Sequence, residues 1–294
     1  MEGKTIIKDT LVLILFAIVF FVVCLLFFKL FVADKTVAQK PSEATVLIPP
    51  QTGVTTDDEG KLIPINEAVL PDGQYQGQLK IPILTYHYIR PLPGDDDRLG
   101  QNLSVSPEQF EKQIKYLSDN GYKAMTFDDL RANNIPDKPV ILTFDDGYRD
   151  AYSDAFPVLK KYNFNAVFYI ITGFVGQERY LTWAMMKEMS RAGMVFGSHS
   201  VSHPDLGKED IEDEKVEYEL SESKEILTEQ LGKETKDFCY PSGQANTKTV
   251  TAVYKAGYKT AVSTQIDFAK KGDYLLWLPR LRIKNDTNML KIMN

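Results

Sequence analysis

Val140–Gly147 reads V-I-L-T-F-D-D-G, an apolar run that ends on two adjacent carboxylates and a glycine. The run has the pattern of a parallel strand buried on both faces. Gly147 permits the sharp turn that must follow. Parallel sheets and barrels carry their chemistry where strands end at the carboxyl edge, so Asp145 and Asp146 stand where a site is expected. Two acids there are unfavourable to desolvate unless a cation receives them. A bound metal answers that need, with one Asp as ligand and the other free to move protons. The plain alternative is a turn, since Asp-Gly is a strong turn signal by itself. The chain holds its own comparison: Thr126-Phe127-Asp128-Asp129-Leu130 repeats T-F-D-D without the long apolar run or the glycine. That copy reads as the start of a short helix, where Asp is a good cap.

Outward from this stretch, strand and helix patterns alternate. Ile81–Ile89 is a strand pattern with His87 near its end. Ser106-Pro107-Glu108-Gln109 opens a helix, with Ser as cap, Pro in the first turn and Gln closing a capping box. Phe110, Ile114 and Leu117 give that helix an apolar face. Tyr152, Phe156 and Leu159 mark a second helix, Phe164–Ile171 a strand, Thr182–Arg191 a helix and Met194–Gly197 a strand leading to His199. Lys208–Leu231 is a long acidic helix whose charges read as a solvated face. Phe238–Gly243 runs from strand to loop, Asn246–Ala256 is a helix, and Tyr258–Ser263 and Leu275–Ile283 are strands, followed by the short tail Met289–Met293. The alternation implies an α/β protein built on a parallel sheet or barrel.

The 294 residues suffice for one large domain with an appendage, and 44% hydrophobic with 25% charged is a globular balance. The net charge of −6 argues against nucleic acid as a partner. Cys24 lies in an apolar N-terminal run and Cys239 far away in the globular part, so no disulfide framework is expected. Leu11–Phe28 carries no charge and reaches the length of a spanning helix. It exceeds the roughly 7–15 apolar residues of a cleaved signal peptide. The chain therefore divides into a transmembrane signal anchor over 1–33, a Pro-, Gly- and Thr-rich spacer over 34–80, and a catalytic domain over 81–294. The expected location is the cell membrane, crossed once, with the domain outside the cell.

There are three histidines, His87, His199 and His203. The last two stand in Ser198-His199-Ser200-Val201-Ser202-His203-Pro204, a spacing that puts both rings on one side where a strand end enters a turn. Two surface histidines near a helix start would look similar. With Asp146, two imidazoles leave coordination positions open, the pattern of a catalytic metal.

T-F-D-D-G followed by S-H-S-x-x-H-P, in this order, resembles the polysaccharide deacetylases with the NodB homology domain, carbohydrate esterase family 4, over about Ile81–Met293. The resemblance implies a distorted (β/α) barrel with fewer than eight strands. It implies hydrolysis of N-acetyl groups from an N-acetylhexosamine polymer, peptidoglycan or poly-N-acetylglucosamine, with release of acetate. Asp146, His199 and His203 correspond to the ligands of one divalent metal ion, usually zinc, and Asp145 to the general base. The third motif is Phe238-Cys239-Tyr240-Pro241-Ser242-Gly243, where the family takes a backbone N–H to hold the oxyanion; Tyr240 is the matching donor, beside Pro241.

The chain departs from the common pattern at that motif. Many members carry Arg at the place of Cys239 and an aromatic at that of Ser242; an aliphatic or small residue in the Arg slot resembles the subgroup that includes the poly-N-acetylglucosamine deacetylases. Arg280 is the candidate partner for Asp145, although Arg280 and Arg282 also read as alternating outward on a strand. Cys239 reads as a packing residue. The departing amine needs an acid, which most members supply from a C-terminal histidine; none follows Arg280 here. Tyr86-His87 resembles the version in circularly permuted relatives and makes His87 the acid. The competing functions are an O-acetyl esterase on acetylated polysaccharide and an inactive glycan-binding relative. No G-x-S-x-G or H-E-x-x-H is present.

Overall fold

The computed structural model describes residues 54–56, 62–64, 73–77, 79–94 and 97–293, the first two stretches by backbone only. The membrane span read over Leu11–Phe28 lies outside them. Among the described residues no helix is long and apolar enough to cross a membrane.

Eight strands form one sheet: β1 (Ile83–Tyr86), β2 (Lys123–Ala124), β3 (Pro139–Phe144), β4 (Val167–Ile170), β5 (Val195–Ser198), β6 (Asp237–Cys239), β7 (Thr260–Val262) and β8 (Leu281–Arg282). Their order is β7-β6-β5-β4-β3-β1-β8, with β2 beside β3 and off this path. Every pair is parallel. The sheet curls into a half-barrel, and its ends approach where Val262 bridges Leu278. This is the expected distorted barrel, but its sheet has eight strands where fewer than eight were expected: seven on its path and β2 off it. The helices include α1 (Pro107–Asp119), α2 (Phe127–Arg131), α3 (Phe156–Lys161), α4 (Trp183–Arg191), α5 (Asp213–Leu231) and α6 (Thr247–Lys255).

Local chemistry sets several boundaries. Ser106 caps α1 through Gln109 N–H, with Pro107 in the first turn. The T-F-D-D copy at Thr126 is a helix start as read, but Thr126 is the cap and Asp129 completes its box. The strand read over Ile81–Ile89 breaks at His87: Tyr88–Ile89 leaves the sheet to pair with Ser104–Val105. Of Leu275–Ile283 only Leu281–Arg282 pairs as a strand, because Pro279 has no N–H to give a ladder. The tail Met289–Ile292 is a helical turn, and α5 starts at Asp213 rather than Lys208. The end of the spacer belongs to the domain. Tyr75 is buried, its N–H donates to Asp273 O at 2.8 Å and its hydroxyl donates to Leu79 O at 3.0 Å.

The period of two divides each strand between two cores. Val140, Leu142 and Phe144 of β3, with Leu84, Tyr86, Phe168 and Ile170, pack outward against Phe110, Ile114, Phe156, Leu159 and Met186 of the helices. Ile83, Ile141, Val167, Tyr169, Cys239 and Val262 face the hollow of the curl. Continued one step past the strand ends, the hollow-facing register reaches His87 after β1, Asp145 after β3 and His199 after β5. The fold thus converges these side chains at the carboxyl edge.

Gly197 lies in the hollow-facing row of β5. A Cβ there would stand 2.6 Å from the Tyr169 ring and 2.7 Å from Asp237 O. Gly197→Ala must therefore push β5 and β6 apart. It should destabilise the domain by about 1–3 kcal/mol, read as a lowered Tm. An unchanged Tm would show that the strands have slack.

Candidate active site

β1 and β3 run in parallel register, Tyr86 beside Phe144, and Asp145 N–H continues the ladder onto Tyr86 O. His87 and Asp145 are the next pair along. Their approach, 3.8 Å from His87 Nε2 to Asp145 Oδ2, follows from that register. Asp145 is buried and held by a fork of two hydrogen bonds: Arg280 Nη1 donates to Oδ1 at 2.7 Å and Nη2 to Oδ2 at 2.8 Å.

Arg280 is itself buried, and its remaining donors are used. Nε donates to Ser263 O at 2.9 Å, Nη1 to Thr143 Oγ1 at 3.1 Å and Nη2 to Cys239 Sγ at 3.2 Å. A guanidinium with every N–H partnered in planar geometry is the condition under which a buried ion pair holds. Burial alone would raise Asp145, but the Arg280 charge and hydrogen bonds outweigh it and hold the carboxyl far below the ordinary range. The outward reading of Arg280 is thereby corrected: it precedes β8 and points into the hollow. Cys239 is more than packing, since its Sγ lies 3.6 Å from Asp145 Oδ2. Burial pushes its thiol up, so it stays uncharged beside the carboxylate.

Asp146 follows Asp145 and would face the helices if the strand continued. Instead its backbone takes φ 72°, and Gly147 φ 74°, which turns its carboxylate back over the edge. Left-handed backbone at a non-glycine residue is uncommon and strained. Asp146 Oδ1 lies 3.3 Å from His199 Nε2 and 3.7 Å from His203 Nε2. One ligand atom from each of the three residues falls within 4.8 Å of the others.

The donor set fits a divalent ion. His199 Nδ1 is 2.7 Å from Cys239 O, a contact that places the ring proton on Nδ1 and leaves Nε2 bare for a ligand bond. Burial opposes charge on His199, but its Cys239 and Asp146 neighbours outweigh it and favour a cation at Nε2, where a divalent ion would displace the proton. Burial also lowers His203, with the charge of His199 adding to it, and so keeps it neutral as a ligand must be. Burial would raise Asp146, but the His199 contact overcomes it and keeps the carboxylate ionised.

Tyr240 does not join this group. Cys239 faces the hollow, so the next residue faces the helices, where Tyr240 packs with Phe238, Val250 and Tyr258. Its N–H donates to Val262 O at 3.2 Å and its hydroxyl to Leu276 O at 2.8 Å. Neither is free for an oxyanion, which corrects the Tyr240 assignment. Pro241 is buried, has no N–H, and its carbonyl accepts from Gln244 N–H. Ser242 is the exposed residue of that turn, at φ 55°.

One residue was missed. Glu219, in the acidic helix read as a solvated face, is wholly buried and bonded to the loop between His199 and His203. Its position shares the inward stripe of Val216, Leu220 and Ser223, and that spacing was the available signal.

The polysaccharide deacetylase family profile matches residues 132–261. Over 209 residues the chain is 34% identical to YxkH of Bacillus subtilis strain 168, provisionally named a polysaccharide deacetylase, covering 69% of this chain and 71% of the relative. It is 30% identical over 202 residues to the poly-beta-1,6-N-acetyl-D-glucosamine N-deacetylase of Staphylococcus aureus strain MRSA252, covering 63% and 70%. The structure of Streptococcus pyogenes deacetylase PplD in complex with acetate is similar at a TM-score of 0.68 and 35% identity, covering 74% of this chain and 100% of that one.

Arg280→Ala leaves a buried carboxylate unpaired and should destabilise the protein by about 3–5 kcal/mol at neutral pH. The wild-type Asp145 sits below its unfolded value, so the stabilisation of the pair is present above that value and is lost as pH falls through the lower, folded one. In the variant burial raises Asp145 instead. The difference between the two proteins should then narrow as pH falls through the ordinary carboxylate range, measured by thermal unfolding at a series of pH values. A difference independent of pH would mean that Asp145 is not what Arg280 serves.

Proposed function

The chain belongs to the polysaccharide deacetylases, carbohydrate esterase family 4, and is a hydrolase of that family; from this membership we propose that it removes N-acetyl groups from a cell-surface N-acetylhexosamine polymer, peptidoglycan or poly-N-acetylglucosamine, using one zinc ion held by Asp146, His199 and His203. The observation that carries this reading is the convergence of two carboxylates, three imidazoles and one guanidinium at a single strand edge.

A divalent ion there would polarise the acetamide carbonyl and lower the pKa of water. Asp145 takes the proton of the attacking water as its oxygen bonds to the acetyl carbon. Arg280 keeps Asp145 ionised in spite of burial and fixes both its oxygens. When the C–N bond breaks, acetate leaves on one side and the amine nitrogen requires a proton on the other. His87 supplies it. Burial holds His87 below its ordinary value against the pull of Asp145 and Asp146, so the ring is neutral at rest. It donates a proton received during turnover, and Asp145 Oδ2 at 3.8 Å is the group that hands it on. The oxyanion role passes from Tyr240 to the N–H of the neighbouring Ser242, the exposed residue of the turn that follows β6.

The uncharged run Leu11–Phe28 supports assignment to the cell membrane, crossed once, with the domain outside. Protease added to intact protoplasts should cut within residues 34–72 and free the domain; full protection would refute this topology.

The purified full chain should release acetate from one of these N-acetylated polymers, and a chelator should stop it. Asp145→Asn and His87→Ala should each slow polymer turnover by about 10²–10⁴-fold. On an aryl acetate, whose leaving group needs no proton, His87→Ala should lose far less and Asp145→Asn as much as before. Acetate released only from O-acetylated glycan would overturn the deacetylase reading. Equal losses for His87→Ala on both substrates would remove His87 as the acid.

A further inference from the structure

Ser198–His203 carries two of the three proposed ligands, and side chains accept from its four backbone N–H groups over residues 200–203. Ser200 N–H donates to Ser198 Oγ at 3.1 Å and His203 N–H to Ser200 Oγ at 2.9 Å. The two N–H groups between them, of Val201 and Ser202, both donate to Glu219 Oε2, at 2.8 Å each. Ser202 Oγ donates to the other oxygen, Oε1, at 2.5 Å, and Lys215 Nζ reaches it at 2.7 Å. Glu219 is fully buried, so these partners are what makes its charge tolerable.

The opposite side of the loop is clamped as well. Thr172 N–H donates to Ser200 O at 3.1 Å and Gly173 N–H to Val201 O at 2.9 Å. A Cβ on Gly173 would stand 2.6 Å from Val201 O, so the approach needs glycine. Between these clamps Ser200 and His203 hold φ 67° and φ 58°. Such backbone persists only where its surroundings impose it.

The two imidazoles differ in how they are secured. His199 is buried, with its N–H on Ile170 O and its ring on Cys239 O. The side chain of His203 is 29% exposed, and its backbone depends on the loop alone. We propose that Glu219 is a positioning residue for the metal site: by fixing Val201 and Ser202 it sets where His203 stands relative to Asp146 and His199. This rests on the metal reading above. Glu219 touches neither ligand nor substrate. Its effect passes through His203, and groups of this kind commonly govern metal affinity 10–100-fold.

The test is zinc affinity of the full chain, by competition with a chromogenic chelator, with the visible spectrum of the cobalt-loaded protein as a second readout. Glu219→Ala should weaken zinc binding by about 10–100-fold and change the cobalt spectrum. Glu219→Gln keeps one oxygen able to accept both N–H groups and should stay within a few-fold of wild type. In a His203→Ala background Glu219→Ala should add little further loss, because the ligand it acts through is gone. If Glu219→Ala does not fold, Glu219→Asp, which keeps the charge but cannot span both N–H groups, is read the same way. Wild-type protein that binds no zinc overturns the metal reading and this inference with it. Wild-type binding with Glu219→Ala or Glu219→Asp unchanged, or a full further loss in the His203→Ala background, overturns the inference alone.

Discussion

A carboxylate buried in the hollow of the sheet and the guanidinium that meets it are the constraint from which the rest follows. Asp145 is useful only if it stays ionised away from water, and burial works against that. Lysine in place of Arg280 would bring a charge but not the fork. Only a planar donor set reaches both Asp145 oxygens, Thr143, Ser263 and Cys239 together. Cys239 then has a reason to be small and uncharged: it meets both members of the pair without adding a charge beside them.

Around this rigid centre the other reactive groups are set by unusual backbone. Asp146, Ser200, His203 and Ser242 all have positive φ. Each lies just beyond a strand end, where the ladder no longer dictates direction. The strands supply His87, Asp145 and His199 by register alone. The remaining groups must be turned in by strained turns, and strained turns need support from the packed body. Gly173 supplies it from one side of the histidine loop and the helix α5 from the other.

Much of this was legible in the sequence. The apolar run before Asp145 gave a buried strand, and the spacing of His199 and His203 brought them to one carboxylate. Arg280 was readable as a partner only because the place of Cys239 lacks the arginine that usually meets the base, since its alternation with Arg282 pointed outward equally well. Tyr240 misled because motif matching does not follow the ladder: its N–H, the group an oxyanion would need, is spent on Val262 O. Glu219 was hidden by composition. Among so many acidic neighbours one inward carboxylate is visible only when its helical position is compared with Val216 and Ser223. The break of the first strand at His87 had no local signal, since Tyr88 and Ile89 are good strand residues; a separate partner, Ser104–Val105, draws them away.

The sheet also joins distant parts of the chain. Leu84 pairs with Leu281, and Thr85 with Arg282, across nearly the whole length of the domain. During synthesis β1 can meet β3 early, but its other edge waits for the last strand. That edge, Ile83–Tyr86, is wholly buried in the finished protein, so until β8 arrives it is an open hydrophobic template of the kind that recruits other chains. Asp145 is also without its counterion over the same interval. Long-range closure of this sort is slow. The arrival of β8 with Arg280 therefore both seals the vulnerable edge and completes the charge arrangement, so that a half-finished chain is at once sticky and inert.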